Sequence, residues 1–181
     1  MQKATVLALS ITLMAGAAYA QGEKMVGGAA MLPSKTIVQN ASEAKNLTTL
    51  VTAVKQAGLV DTLNGKGPFT VFAPTNEAFA ELPKGTVDNL MKPENKDKLA
   101  KILKCHVVAA NAMSPAIQGM IKDDKGAHPI KTVGGCTFTA KMKGDKIVIE
   151  DGKGNTATVT TADVKQSNGV VHVIDKVLMP S

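Results

Sequence analysis

The spacing of apolar residues changes partway along this chain, and that change limits the fold more than any other feature. Leu47, Leu50, Val51 and Val54 fall at i, i+3, i+4 and i+7, the stripe of an amphipathic helix. From His128 onward the period is two, with strand candidates at 136–142, 147–150, 156–161 and 164–166, and a long last strand over 170–178. On that strand Val171, Val173 and Val177 line one face and Val170, Ile174 and Leu178 the other, which marks a central strand covered on both sides. Helices first and a meander of strands afterwards define an α+β chain, with helices beside a sheet or wedge of mainly antiparallel strands. At 181 residues there is enough chain for one buried core.

Local signals divide the helical half. Residues 21–33 hold Gly27-Gly28-Ala29-Ala30 and two methionines with no clear period, and are expected to form a flexible leader. Met25 and Met31 offer two thioethers to a copper ion, a thin basis for a site. Ser34 is placed to cap a helix over 34–44, and Gly58 to close the next one. Gly65-Lys66-Gly67-Pro68 is turn chemistry before a β-favouring run from Phe69 to Ala73, which Pro74 ends. Thr75 or Asn76 then caps a brief helix carrying Phe79, and Thr86 caps another. Pro93 suits the first turn of a longer helix, on which Leu99, Ile102 and Leu103 share one face and Lys96, Lys98, Lys101 and Lys104 the wet one. Val107 and Val108 read as a strand, and Ser114-Pro115 opens a last helix through Ile121.

The first twenty residues have the form of an export signal. Lys3 supplies the positive start, residues 4–17 the apolar stretch, and Ala18-Tyr19-Ala20 the small-x-small end that signal peptidase cuts, leaving Gln21 first. The stretch is too short for a stable membrane span, so no transmembrane segment is expected after removal, and the mature chain is expected in the periplasm or secreted to the medium. In that compartment the two cysteines, Cys105 and Cys136, read first as a disulfide. A thiol nucleophile paired with His106, or a metal site using both sulfurs and a histidine, are the competing assignments; neither has the spacing of a known motif.

Net charge is +6, and every one of the 21 basic residues is lysine. Without arginine forks, and with one Tyr and four Phe, the chain lacks the usual tools for reading nucleic acid. The excess is a solvated lysine surface, suited to anionic polymers.

Three strings then resemble a known family. Gly67-Pro68-Phe69-Thr70-Val71-Phe72-Ala73-Pro74-Thr75-Asn76-Glu77-Ala78-Phe79 is similar to the first signature block of the fasciclin domain, and Ser167-Asn168-Gly169-Val170-Val171-His172-Val173-Ile174-Asp175-Lys176-Val177-Leu178-Met179-Pro180 to the second. Leu103-Lys104-Cys105-His106-Val107-Val108 resembles the family's Tyr-His segment, with Cys105 where Tyr is usual. The resemblance spans residues 34–180 and implies a fasciclin-like wedge of strands with helices at one side. It also implies a role in adhesion without enzymatic activity or a cofactor. In animal members the Tyr-His segment is implicated in integrin binding, and here that Tyr is missing. Among the motif residues Thr75 and Asn76 are expected to satisfy backbone N–H groups, Phe69, Phe72 and Phe79 to pack, and His106 and His172 to be buried and hydrogen-bonded.

The function expected from this is a secreted or periplasmic adhesion or matrix-interaction module, whose partner is a surface protein or an anionic polysaccharide. Two other classes stand against it. A small-ligand or lipid-binding periplasmic protein is the alternative, and composition does not exclude it. A hydrolase or redox enzyme on Cys105, His106, Cys136 and His172 has no nucleophile elbow, CxxC, HExxH or phosphate loop to support it.

Overall fold

The computed structural model describes residues 23–180; the expected export signal and its expected cleavage point lie outside them. The segment expected as a flexible leader is a hairpin, β1 (Lys24–Val26) and β2 (Ala29–Met31), turning at Gly27 and Gly28 with positive φ. Val26 and Met31 are buried in the main core, worth about 1.5–3 kcal/mol each by transfer. A Cβ on Gly27 would sit 2.3 Å from Asn46 Oδ1, so the hairpin turn presses directly on the chain beyond the first helix. Met25 pairs opposite Ala30 and stands exposed while Met31 is buried, so the two thioethers point to opposite faces and form no shared site.

The first helix, α1 (Ile37–Glu43), begins later than Ser34 because a capping box selects Thr36: its side chain accepts from the Gln39 N–H, and the Gln39 side chain accepts from the Thr36 N–H at 2.9 Å. α2 (Thr48–Gln56) buries Leu50, Val51 and Val54, ends at Gly58 with φ +68°, and leads into the short α3 (Val60–Asn64) that periodicity did not reveal. After β3 (Phe69–Pro74) come α4 (Asn76–Ala80) and α5 (Thr86–Leu90), which Gly85 in the left-handed region precedes, leaving Thr86 inside the helix and not capping it. Pro93 starts a 3-10 turn, Pro93–Asn95, before α6 (Lys96–Cys105).

The remaining elements are β4 (Val107–Val108), α7 (Ser114–Asp123), β5 (Ala127–Lys131), β6 (Thr137–Lys143), β7 (Lys146–Glu150), β8 (Thr156–Gln166) and β9 (Gly169–Ile174). One seven-stranded sheet runs β4-β3-β9-β8-β7-β6-β5. Every pairing is antiparallel except β3 with β9, which run parallel with Phe69 opposite Gly169 and Phe72 opposite His172. The two strand candidates at 156–161 and 164–166 are one strand, broken in register around Thr161, with Asp163 at φ 57°. The last strand stops at Ile174, where its partner β3 ends at Pro74, and Val177 and Leu178 continue into the two cores without ladder bonds.

β9 is central and divides the cores as its alternation requires. Val171 and Val173 join Val71, Leu50, Val54 and Leu103 on the helical side. Phe72 and Ile174 join Phe138, Ile149, Ile117 and Ile121 between the sheet and α7. The fold is α+β, with α1–α6 at one side of a mostly antiparallel wedge and α7 over the other core.

Candidate functional site

The two long signature strings lie side by side as β3 and β9; Thr70, Thr75, Asn76, Asn168, His172 and Asp175 are engaged inside the fold, while Glu77 and Lys176 are exposed. Asn168 is the clearest case. Its Oδ1 accepts from the Ile37 N–H at 3.1 Å, and its Nδ2 donates to Leu63 O at 2.7 Å and Gly65 O at 3.1 Å, tying α1 and the end of α3 to the start of β9. Gly169 is required by close approach: a Cβ there would lie 2.0 Å from Phe69 O. At the other end, Thr75 caps α4 through the Ala78 N–H, whereas Asn76 serves α2: its Oδ1 accepts from the Thr49 N–H at 3.0 Å and its Nδ2 donates to Thr48 Oγ1 and Lys45 O. Asp175 accepts from the Thr158 N–H at 2.6 Å, holding β8 beside the end of β9. Phe79 packs in the helical core and Phe72 stacks on His172, ring centroids 5.7 Å apart.

The histidines are buried connectors. His106 Nδ1–H donates to Ile102 O at 2.9 Å, leaving Nε2 to accept from the Leu178 N–H at 3.0 Å. Burial pushes its pKa down to about 4, against the opposing pull of the Ile102 hydrogen bond and the Asp151 charge. His172 has the opposite tautomer: Nε2–H donates to Ala112 O at 2.7 Å, and Nδ1 accepts from the Asp163 N–H at 3.2 Å. Burial lowers its pKa too, and Lys24 adds to this, while the Ala112 bond and Asp163 oppose it. Both rings are neutral at pH 7, with each nitrogen already partnered.

Thr70, fully buried, donates its hydroxyl to Ala110 O at 2.6 Å and accepts from the Ala112 N–H at 2.8 Å. Together with His172 it pins residues 110–112 across the sheet. Cys105 and Cys136 are joined by a disulfide with Cα atoms 5.4 Å apart, and the loop before Cys136 is clasped by Val133 N–H to Val107 O at 2.8 Å and Gly134 N–H to Lys104 O at 3.0 Å. The thiols and ring nitrogens invoked for an enzyme are thus engaged with one another or with backbone.

Two carboxylates that sequence reasoning passed over are part of this framework. Asp163 accepts from the Ser114 N–H at 2.6 Å and from its hydroxyl, capping α7 from β8. Burial alone would raise its pKa, but the Ser114 bonds and the nearby His172 and Lys24 hold it below the ordinary value. Asp151 accepts from the Lys153, Asn155 and Met179 N–H groups at 2.9–3.0 Å. Those bonds overcome its desolvation and keep it ionised. The string Asp151-Gly152-Lys153-Gly154-Asn155 carried the signal, an Asx turn in a glycine-rich loop.

What remains outside is lysine. Lys96, Lys98 and Lys101 are exposed and Lys104 half-buried, fanned around the wet side of α6, and none forms an ion pair with a described residue. Lys143 and Lys146 face each other across the β6–β7 hairpin, and Lys141 pairs with Glu150 at 2.7 Å. Among the described residues no group of three or more His, Cys, Asp or Glu side chains could hold a metal ion, and no helix is long and apolar enough to cross a membrane.

Comparison with known proteins agrees with this architecture. The fasciclin domain family model matches residues 45–180. Protein sll1483 of Synechocystis sp. is 45% identical over 178 residues, covering 97% of this chain and 92% of the relative. Immunogenic protein MPB70 of Mycobacterium bovis is 38% identical over 145 residues, 77% of this chain and 66% of that protein. Transforming growth factor-beta-induced protein ig-h3 of Sus scrofa is 35% identical over 148 residues, 82% of this chain but 20% of that much longer protein. Among solved structures, a FAS1 domain pair from the insect cell adhesion molecule Fasciclin I superposes with a TM-score of 0.56 at 28% identity, over 72% of this chain and 43% of that one. With the signature strands paired, the cores divided between them and the match running from residue 45 to 180, this chain belongs to the fasciclin domain family.

Proposed function

We propose that this protein is an exported, non-catalytic interaction module, acting in the periplasm or outside the cell, whose partner is an anionic polysaccharide or an acidic surface protein. One observation carries this: Thr70, Asn76, His106, Asn168 and His172 are committed to internal hydrogen bonds, while the lysines of the described residues stand exposed or half-buried on the outside. Lysine contacts to a polyanion are long-range and poorly directional, so single domains bind modestly and many copies bind well. The insect Fasciclin I is a cell adhesion molecule, which is in keeping with this role. The test is retention on an anionic polysaccharide column at rising NaCl, comparing the wild type with a variant carrying Gln at positions 96, 98, 101 and 104. The wild type is expected to elute later and in a salt-dependent manner, because the screening length shrinks to about 8 Å at physiological ionic strength. Equal retention of the two proteins would move the contact away from α6.

A further inference from the structure

The seven-stranded sheet leaves two edges, β4 and β5, and between them under α7 lies a cavity of about 200 Å3. Its walls are Phe72 from β3, Val108 from β4, Ile117 and Met120 from α7, and Ile130 from β5, with Thr70 at the back. The void is built to stay open. On one side the strap at 110–112 is fixed by both bonds of Thr70 and by His172 Nε2–H. Beyond it, the Cys105–Cys136 disulfide and the Val133 to Val107 bond tie the β5–β6 connection to the end of α6 and to β4. Three residues of the signature strings therefore shape this cavity, Phe72 as a wall and Thr70 and His172 through the strap, though neither polar one offers it a free polar atom.

The lining chemistry selects a ligand class. Thr70, His128 and Lys131 are the only lining residues with polar side chains, and the Thr70 hydroxyl is already committed on both sides. The pocket opens to solvent, so its apolar wall with a few polar groups at the rim, and not exclusion of water, selects the occupant. At the solvent side, half-buried His128 shares a face of β5 with Ile130, and exposed Lys131, next along the strand on its alternate face, borders the opening; these are the only ionisable lining residues. Asp124 takes His128 Nδ1 at 2.6 Å, so its charge is directed at the ring and the Nε2 edge is left. Lys131 forms no ion pair with a described residue.

We propose that this cavity binds a small apolar molecule ending in a carboxylate, a short-chain fatty acid or an aryl carboxylate, with its apolar part against Phe72, Ile117, Met120 and Ile130 and its carboxylate at Lys131 and His128. This site is separate from the lysine surface of α6, so either can fail without the other. The experiment is a methyl-NMR titration of the mature protein with hexanoate, benzoate and hexanol. Both acids are expected to shift the methyls of Ile117, Met120 and Ile130, with a Kd on the order of 1 mM for ligands of this size. Lys131→Gln, at an exposed position, should weaken hexanoate about threefold and leave hexanol unchanged. Met120→Trp, which fills the void, should abolish all three shifts while keeping the dispersed spectrum of a folded protein. Unmoved cavity methyls well above that Kd would overturn the proposal. So would shifts that map elsewhere, or hexanoate binding that is indifferent to Lys131→Gln.

Discussion

Lowering the pH from 7 to 5 should destabilise the folded chain, and His106 sets the size of the effect. In the unfolded chain its imidazole titrates at the ordinary value of 6.5; in the fold, burial holds it at about 4. Between those values the unfolded state binds a proton that the folded state refuses, so stability present above pH 6.5 is lost progressively as the pH falls toward 4. Integrating the difference gives a loss of about 2 kcal/mol by pH 5 and about 3 kcal/mol by pH 4 from this one ring. His172 is shifted in the same direction and adds to the loss. Asp151 and Asp163, both held below the ordinary 3.8, contribute stability that fades only at lower pH, outside this window. The assay is urea unfolding of the mature protein at pH 7, 6 and 5 at constant ionic strength, repeated with His106→Gln. That variant should be less stable at pH 7, because Leu178 N–H and Ile102 O lose well-placed partners, yet its loss between pH 7 and 5 should shrink by about 2 kcal/mol. Identical unfolding midpoints at pH 7 and 5, or an undiminished loss in the variant, would refute the assignment of a neutral buried ring.

Other perturbations test other joints. Asn76→Ala should cost about 1–2 kcal/mol in unfolding free energy by uncapping α2, and His172→Ala about 1–3 kcal/mol by stranding Ala112 O and the Asp163 N–H; thermal denaturation reads both, and wild-type stability in either would count against a structural role. Alkylation of non-reduced, denatured protein should label neither cysteine, and reduction should lower stability by about 3–4 kcal/mol, given the separation of 31 residues between Cys105 and Cys136. Deleting the hairpin through Met31 should lower the unfolding midpoint measurably, since Val26 and Met31 leave the core; an unchanged midpoint would restore the plain leader. Intact mass of exported protein should correspond to a chain starting at Gln21, and a mass that retains Met1 would show that no signal is removed.

The sequence made some parts of this architecture readable because their causes are local. The helical stripe of α2 and the two-residue alternation of β6, β7 and β9 are properties of single elements, and so is the Thr75 cap. Pairing is a different matter. Nothing in the periodicity says that β3 lies parallel to β9, because alternation tells which faces a strand buries and not which strand it meets. The hairpin at 24–31 was obscured by its alanines and glycines, although Gly27-Gly28 between short apolar runs is a hairpin signal once Val26 and Met31 are counted as core. Asn76 was placed at the correct corner but assigned the nearer helix; only the tertiary fold brings the start of α2 within its reach. The cavity between β4 and β5 was illegible for the same reason: its walls come from four separate elements, none unusual alone.

The central position of β9 also bears on when the chain can fold. The strand that forms both faces of the divide between the two cores is the last one among the described residues, and its neighbours β3 and β8 cannot bridge the gap without it. A polypeptide made from its N-terminus can form α2 or the β6–β7 hairpin early, but neither core closes until Gly169–Ile174 has emerged. Long-range pairing of this kind delays folding relative to local structure. Until that strand has been made, the growing chain is a set of helices and hairpins with neither core closed.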